Sequence, residues 1–448
     1  MVVATGVRRP VSSCVAAVLV PFLLVLSPAR GDDEPNWKTL EKAAAASFQN
    51  EDVGRLRSLV HQIGVHDTPR AAELLIKYTL SGLDFDLEME AGTALASMKS
   101  TAARQIIYRE ALRNKNFKTR VVLLGVTYYQ REDPGAFGVL VKALRDRKKQ
   151  VVFAAIRWLG KAGDSGAIEA LIDALALREK RRMGRIYHDL RATLRSLTNQ
   201  DFHVAADWKN YWEARQQGIV ARSVTGKGRT KVASQKFFTV SLDSDRVVFV
   251  IDVSLSMERK DPLPEKVATT KRRGRTFVAP KKRKVKKKVD PATLPITRQR
   301  LYRVKRELIR TIESLPESVF FTIESFSSSI KFLGGSPTLL QATEANKRKG
   351  IGWVESMVVE GETHTDTAFE QAFERIEGMD TVIFLSDGAP RRQNRPIPEE
   401  DVLRSIRVAN RFAKCRIHAI DFKRSGSNLR RFLAKLATEH DGKFTLLE

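Results

Sequence analysis

The stretch Val247-Val248-Phe249-Val250-Ile251-Asp252-Val253-Ser254-Leu255-Ser256 decides the fold of the C-terminal half. Five apolar and mostly β-branched residues stand in a row with no polar alternation, as in a strand buried on both faces. The run ends on a carboxylate, followed by hydroxyls at every second position. Three further runs read as buried strands: Val319 to Ile323, Thr381 to Leu385 and Ile417 to Phe422. Between the first two, Leu301, Val304, Leu308, Ile312 and Leu315 recur at helical spacing, and Pro316 stops the pattern. Thr367 to Ile376, Glu400 to Ala413 and Leu429 to Ala437 read as helices as well. Strand and helix in alternation predict a doubly wound, Rossmann-like α/β sheet over residues 246–448. Ligands of such sheets bind beyond the carboxyl ends of the strands.

Chemistry-bearing residues fall at those ends. Asp252, Ser254 and Ser256 follow the first strand, and Ser386-Asp387-Gly388 follows the third. Between them lies Gly361-Glu362-Thr363-His364-Thr365. All are hard oxygen donors with no paired His or Cys, a set suited to Mg²⁺, and also to Mn²⁺ or Ca²⁺. With DxSxS, a threonine and an aspartate in this order on these elements, residues 246–448 resemble a von Willebrand factor type A domain with its metal-ion-dependent adhesion site. The resemblance implies a metal surrounded by Asp252, Ser254, Ser256, Thr363 and Asp387, with the serines binding directly and the aspartates often through water. An acidic group of a protein partner would complete the shell. Leu255 departs from the glycine that many bacterial members carry there. His364 reads as a loop residue, and Thr365 as a support for the loop.

Residues 259–299 read as a basic insertion in that domain. They hold 15 Lys+Arg against Asp261, Glu265 and Asp290, a net of +12. With five prolines and few apolar residues the insertion is expected to be disordered. Its densest part, residues 271–288, is a candidate for charge-driven capture of a polyanion or anionic surface. Phe277 is its only aromatic residue, so base stacking and a specific nucleic-acid site are not expected. The whole chain shares the bias: 448 residues carry a net charge of +26.

Upstream, residues 35–217 read as an all-α array. Apolar pairs recur at Leu74-Leu75, Ile106-Ile107, Leu140-Val141 and Leu171-Ile172, just over 30 residues apart, with second helices between them. Asp67, Asp133 and Asp164 stand before three of these helices, where a carboxylate caps free N–H groups. Two helices per unit is the pattern of an α-solenoid, and the segment resembles HEAT-type repeats. Gly163-Asp164-Ser165-Gly166 matches a protease nucleophile motif, but its helical surroundings make it a capping turn. Residues 218–245 read as a polar linker, with a weak strand over Phe237 to Leu242. At the N-terminus, Arg8-Arg9, the apolar run Val15 to Leu26 and Ala29-Arg30-Gly31 form the pattern of a secretory signal over residues 1–31. The expected product is exported, periplasmic or extracellular, without a transmembrane span once the signal is cleaved. Only Cys14 and Cys415 occur, so a disulfide framework is excluded.

These readings converge on a non-enzymatic, metal-dependent protein-binding module on an exported scaffold. No cofactor is expected besides the metal, and no catalytic residue is assigned, because no HExxH-type pattern and no base or nucleophile stands beside the expected metal. The alternative is a polyanion-binding envelope protein that acts through the basic insertion.

Overall fold

The computed structural model describes residues 35–181, 184–219, 236–261, 295–393, 395–422 and 426–447. The expected signal, most of the linker and the centre of the basic insertion lie outside the described residues. The chain divides into two compact units, Met1–Lys142 and Ala143–Glu448. The division falls inside the helical segment, ahead of the linker expected at 218–245.

The first unit is helical: α1 (Trp37–Gln49), α2 (Val53–Gly64), α3 (Pro69–Thr79), α4 (Phe85–Ser97), α5 (Thr101–Arg113), α6 (Phe117–Tyr129) and most of α7 (Pro134–Ala143). The side chains of Asn36, Asp52, Thr68, Asp84, Ser100 and Asn116 each accept a backbone N–H from the first turn of α1 to α6. These caps stand one every 16 residues. Each satisfies a donor that the helix leaves open, worth about 1 kcal/mol. Alternate helices stack, α3 on α1 and α5, and α4 on α2 and α6, so two helices make one repeating layer. Asp67 is not the cap expected of it. Thr68 takes that place, and Asp67 accepts the N–H groups of Lys99 and Ser100 (2.9 and 2.8 Å) one layer on. Asp133 and Asp164 do accept the N–H of Gly135 and Gly166 at their helix starts.

The second unit begins with α8 (Lys149–Ala162), α9 (Gly166–Ala176), α10 (Arg185–Thr198) and α11 (Ala205–Gln216). Two short strands, β1 (Lys236–Phe237) and β2 (Val240–Ser241), pair antiparallel where one weak strand was expected. Phe238 turns between them at φ 52°, while Phe237, Val240 and Leu242 enter the core. The sheet itself is built from β3 (Arg246–Asp252), β4 (Phe320–Phe326), β5 (Ile330–Phe332), β6 (Leu340–Gln341), β7 (Thr381–Leu385), β10 (Arg416–Phe422) and β11 (Phe444–Leu447). A small hairpin, β8 (Arg391–Arg392) with β9 (Arg395–Pro396), stands apart. The strand order is β11-β10-β7-β3-β4-β5, with β6 also on β4. All pairs from β11 to β4 are parallel, whereas β5 and β6 run antiparallel to β4. The sheet is therefore mixed at one edge.

Alternate residues of β3 serve two cores. Val247, Phe249 and Ile251 pack with Leu301, Val304, Leu308 and Ile312 of α12 (Arg300–Ser314), and with Val354 of α13 (Glu344–Ser356). Val248 and Val250 pack on the other side with α14 (Thr365–Arg375), α15 (Glu399–Ala413) and α16 (Ser427–Glu439), through Phe369, Ile406 and Phe432 among others. Polar contacts fasten α8 and α10 to the amino-terminal edge of this sheet. Arg185 of α10, buried against the Phe153 ring (4.0 Å), pairs with Asp189 (3.1 Å) and donates to the carbonyls of Asp380 (2.8 Å) and Lys414. Asp189 also pairs with Arg416 at the start of β10, and Lys149 of α8 with Asp380 just before β7. No helix among the described residues is long and apolar enough to cross a membrane.

Candidate metal centre

The opposite edge of the sheet carries the candidate site. Strand β3 delivers Asp252 at its last residue, and the main chain then breaks into a short 3₁₀ turn, Leu255–Glu258. The turn is held by Val253 N–H on Phe326 O (2.9 Å) and Leu255 N–H on Gly361 O (3.1 Å). Gly361 must be glycine: its φ is 63°, and a Cβ there would lie 2.6 Å from the Ser328 hydroxyl. The loop it starts brings Thr363 beside Ser254. Strand β7 ends at Leu385 and presents Ser386 and Asp387 from the neighbouring ladder.

All five residues expected of the site meet. Thr363 Oγ1 donates to Ser254 Oγ (3.1 Å), the two serine hydroxyls lie 3.0 Å apart, and Ser256 Oγ donates to Asp387 Oδ1. Asp252 is fully buried. Its Oδ1 accepts the Ser254 N–H (2.8 Å) and its Oδ2 the Ser386 hydroxyl (2.6 Å). Ser386 thus holds the first carboxylate in place. Burial pushes the Asp252 carboxyl up to about 7, with the Asp387 charge adding to the push and the bonds from Ser254 and Ser386 opposing it. A carboxylate so short of solvation is one that a cation would relieve. Gly388 contributes room: a Cβ there would run into the Thr363 hydroxyl. Hard oxygens and no nitrogen or sulfur make a donor set that fits Mg²⁺ or Mn²⁺. It holds only two carboxylates, and among the described residues no group of three or more His, Cys, Asp or Glu side chains forms a metal cluster.

Leu255 points outward, 60% exposed beside the cluster. His364 lies near Glu362 (3.4 Å) rather than among the donors. Sequence reasoning missed Arg300, the first residue of α12. Its guanidinium pairs with Asp387 Oδ2 and, on the other side, with Asp261 (3.0 Å), which Arg303 also reaches (3.1 Å). One arginine among many basic residues gives no signal of this kind in the sequence. Asp261 stands at the start of the basic insertion and Arg300 just past its end, and the described ends are joined by the Lys260–Gln299 bridge and by Arg300 N–H on Arg259 O (3.0 Å).

No protein-family model matches the chain, and no curated protein matches it. Among solved structures the chain is similar to a von Willebrand factor type A protein from Catenulispora acidiphila, at 16% identity and a TM-score of 0.33, over 47% of this chain and 40% of that one. It thus spans less than half the length of that protein. It is also similar to an aerotolerance-related membrane protein from Bacteroides fragilis, at 13% identity and a TM-score of 0.27, over 45% of this chain and 90% of that one. Proximal thread matrix protein 1 from the mussel byssus shares 13% identity at a TM-score of 0.29, over 57% of this chain and 52% of that one. Likenesses this slight carry no weight for function, and the site stands on its own residues.

Proposed function

We propose that the chain is a non-enzymatic protein-binding module that engages an acidic group of a partner through a divalent cation, Mg²⁺ or Mn²⁺ and less favourably Ca²⁺. The observation that carries the reading is the convergence of five side-chain oxygens from three loops at the carboxyl ends of β3 and β7. Ser254, Ser256 and Thr363 would hold the ion by their hydroxyls, with Asp252 and Asp387 supplying charge. When bound, the ion would offer an open position to a carboxylate. Ser386 orients Asp252, Gly361 and Gly388 let the Thr363 loop close, and Leu255 presents an apolar surface next to the acidic contact. Export by the signal over residues 1–31, and a second protein surface on a HEAT-like array, belong to the same reading.

Calorimetry with Mg²⁺ and Mn²⁺ on the full chain tests it, beside Asp252→Ala and Ser254→Ala. Binding in the parent that is lost in both variants is the expected result. A parent that gives no heat and no metal-dependent rise in melting temperature would refute it. Steep salt dependence of partner binding without metal dependence would favour the polyanion reading through residues 271–288 instead.

A further inference from the structure

Arg300 is buried at 2% exposure beside a site expected to hold a cation. A buried guanidinium persists only when its charge is paired and its N–H groups are bonded. Here both conditions are met. Nη1 donates to Asp387 Oδ2, while Nε and Nη2 donate to Asp261 Oδ1 (3.2 and 3.0 Å). The guanidinium also lies 5.1 Å from the Phe422 ring centre, beside that of Arg303 at 5.5 Å. Asp261 and Phe422 therefore hold Arg300 in place from behind. Asp387 becomes a junction, with Ser256 on one oxygen and Arg300 on the other. A single chain of contacts runs from Thr363 through Ser254, Ser256 and Asp387 to Arg300.

Two consequences follow from charge. Without a metal, Asp387 would be a buried carboxylate against Asp252, and Arg300 supplies the compensating charge. With a metal, two cations would face the same carboxylate. We propose that Arg300 is a resident counter-cation of the donor cluster: it keeps the cluster formed without metal, and it lowers the affinity for divalent cations because an incoming ion must share Asp387 with it. The inference rests on the cluster being a cation site. It goes beyond that reading by assigning Arg300 as the positioning residue that sets the affinity.

The test compares the full chain with Arg300→Gln, which is neutral and whose amide reaches only as far as the Nε that faces Asp261, and with Arg300→Lys, which keeps the charge. Mn²⁺ affinity is read by calorimetry, and melting temperature is read in chelator and in saturating Mn²⁺. The expected result is that Arg300→Gln binds Mn²⁺ about tenfold more tightly or better, while Arg300→Lys, which keeps the charge but not the planar fork that spans Asp387 and Asp261, binds less tightly than Arg300→Gln. Arg300→Gln should also melt well below the parent in chelator and recover much of the difference in Mn²⁺. Unchanged or weaker Mn²⁺ binding by Arg300→Gln, with equal loss of stability in both conditions, would overturn the inference and leave the cation site standing. A parent that binds no Mn²⁺ beside an Arg300→Gln variant that does would support the inference and overturn the adhesion reading. Binding by neither would overturn both. If Arg300→Gln folds only with Mn²⁺, the ion has replaced the missing charge, as expected. Failure to fold with Mn²⁺ as well would overturn the inference.

Discussion

Glu324 gives the sharpest stability prediction. It lies in β4 between Ile323 and Ser325, fully buried, and neither carboxyl oxygen has a hydrogen-bond partner among the described residues. Burial pushes its carboxyl well above the ordinary 4.5, and the charge of Arg375, which pulls the other way, does not compensate. In the folded state Glu324 keeps its proton over a range where the unfolded chain has released it. The stability this provides is full below about pH 4.5 and is lost as pH rises towards the folded-state value. Within that window each pH unit costs about 1.4 kcal/mol. Glu324→Gln removes the titration and keeps the shape. Urea unfolding of parent and variant, followed by tryptophan fluorescence in pH steps upward from about 5, should show the variant gaining on the parent by about 1.4 kcal/mol per pH unit until the folded-state value is reached. Any fixed penalty for fitting the amide cancels in that slope. A gap that stays constant, or that shrinks as pH rises, would refute the account of Glu324 as a protonated core residue.

Three other outcomes are expected. Arg185→Met should lower unfolding stability by about 3–5 kcal/mol, because Asp189 and two carbonyls lose a buried partner; a loss below about 1 kcal/mol would mean that apolar packing alone fixes α10 to the sheet. Gly388→Ala should weaken Mn²⁺ binding about tenfold with little change in melting, since the new methyl displaces the Thr363 hydroxyl; parent-like affinity would remove Thr363 from the donor set. The Cys415 thiol, buried, pushed up to about 12 mainly by desolvation and bonded to Met379 O, should resist thiol reagents until the unit unfolds. Rapid labelling in native buffer, measured on a Cys14→Ser chain, would show that the α15–β10 corner opens on its own.

Much of the α/β half was legible because burial on both faces leaves an unmistakable apolar run. Val247 to Ile251, Thr381 to Leu385 and Ile417 to Phe422 all lie in sheet strands. Asp252, Ser254, Ser256 and Asp387 were legible for the same reason, since they stand at or just past strands that the pattern locates, whereas Thr363 lies in a loop ahead of α14. Strands β5, β6 and β11 carry too few residues to make a period, and α13 mixes Lys, Arg and Gly with little apolar stripe. The regular caps at residues 36 to 116 are four different residue types, so their spacing hides behind their variety. Charged residues were the main gap. Arg185, Asp189, Arg300 and Asp261 are buried with no sequence signal of it, because hydrophobic patterning records where apolar groups go and is silent about ion pairs drawn into a core.

The placement of the two attachment faces of the second unit has a mechanical consequence. Helices α8 and α10 grip the sheet where Arg416 and Asp380 begin or precede β10 and β7, and the donor cluster sits where β3 and β7 end. A pull between those faces therefore runs along the strands. Strand β3 lies between β4 and β7 in two parallel ladders, so such a pull shears many backbone hydrogen bonds at once, whereas a pull across the sheet would peel them singly. The unit should resist tension along its strand axis far better than across it, and single-molecule pulling from paired anchor points would show whether the two directions differ.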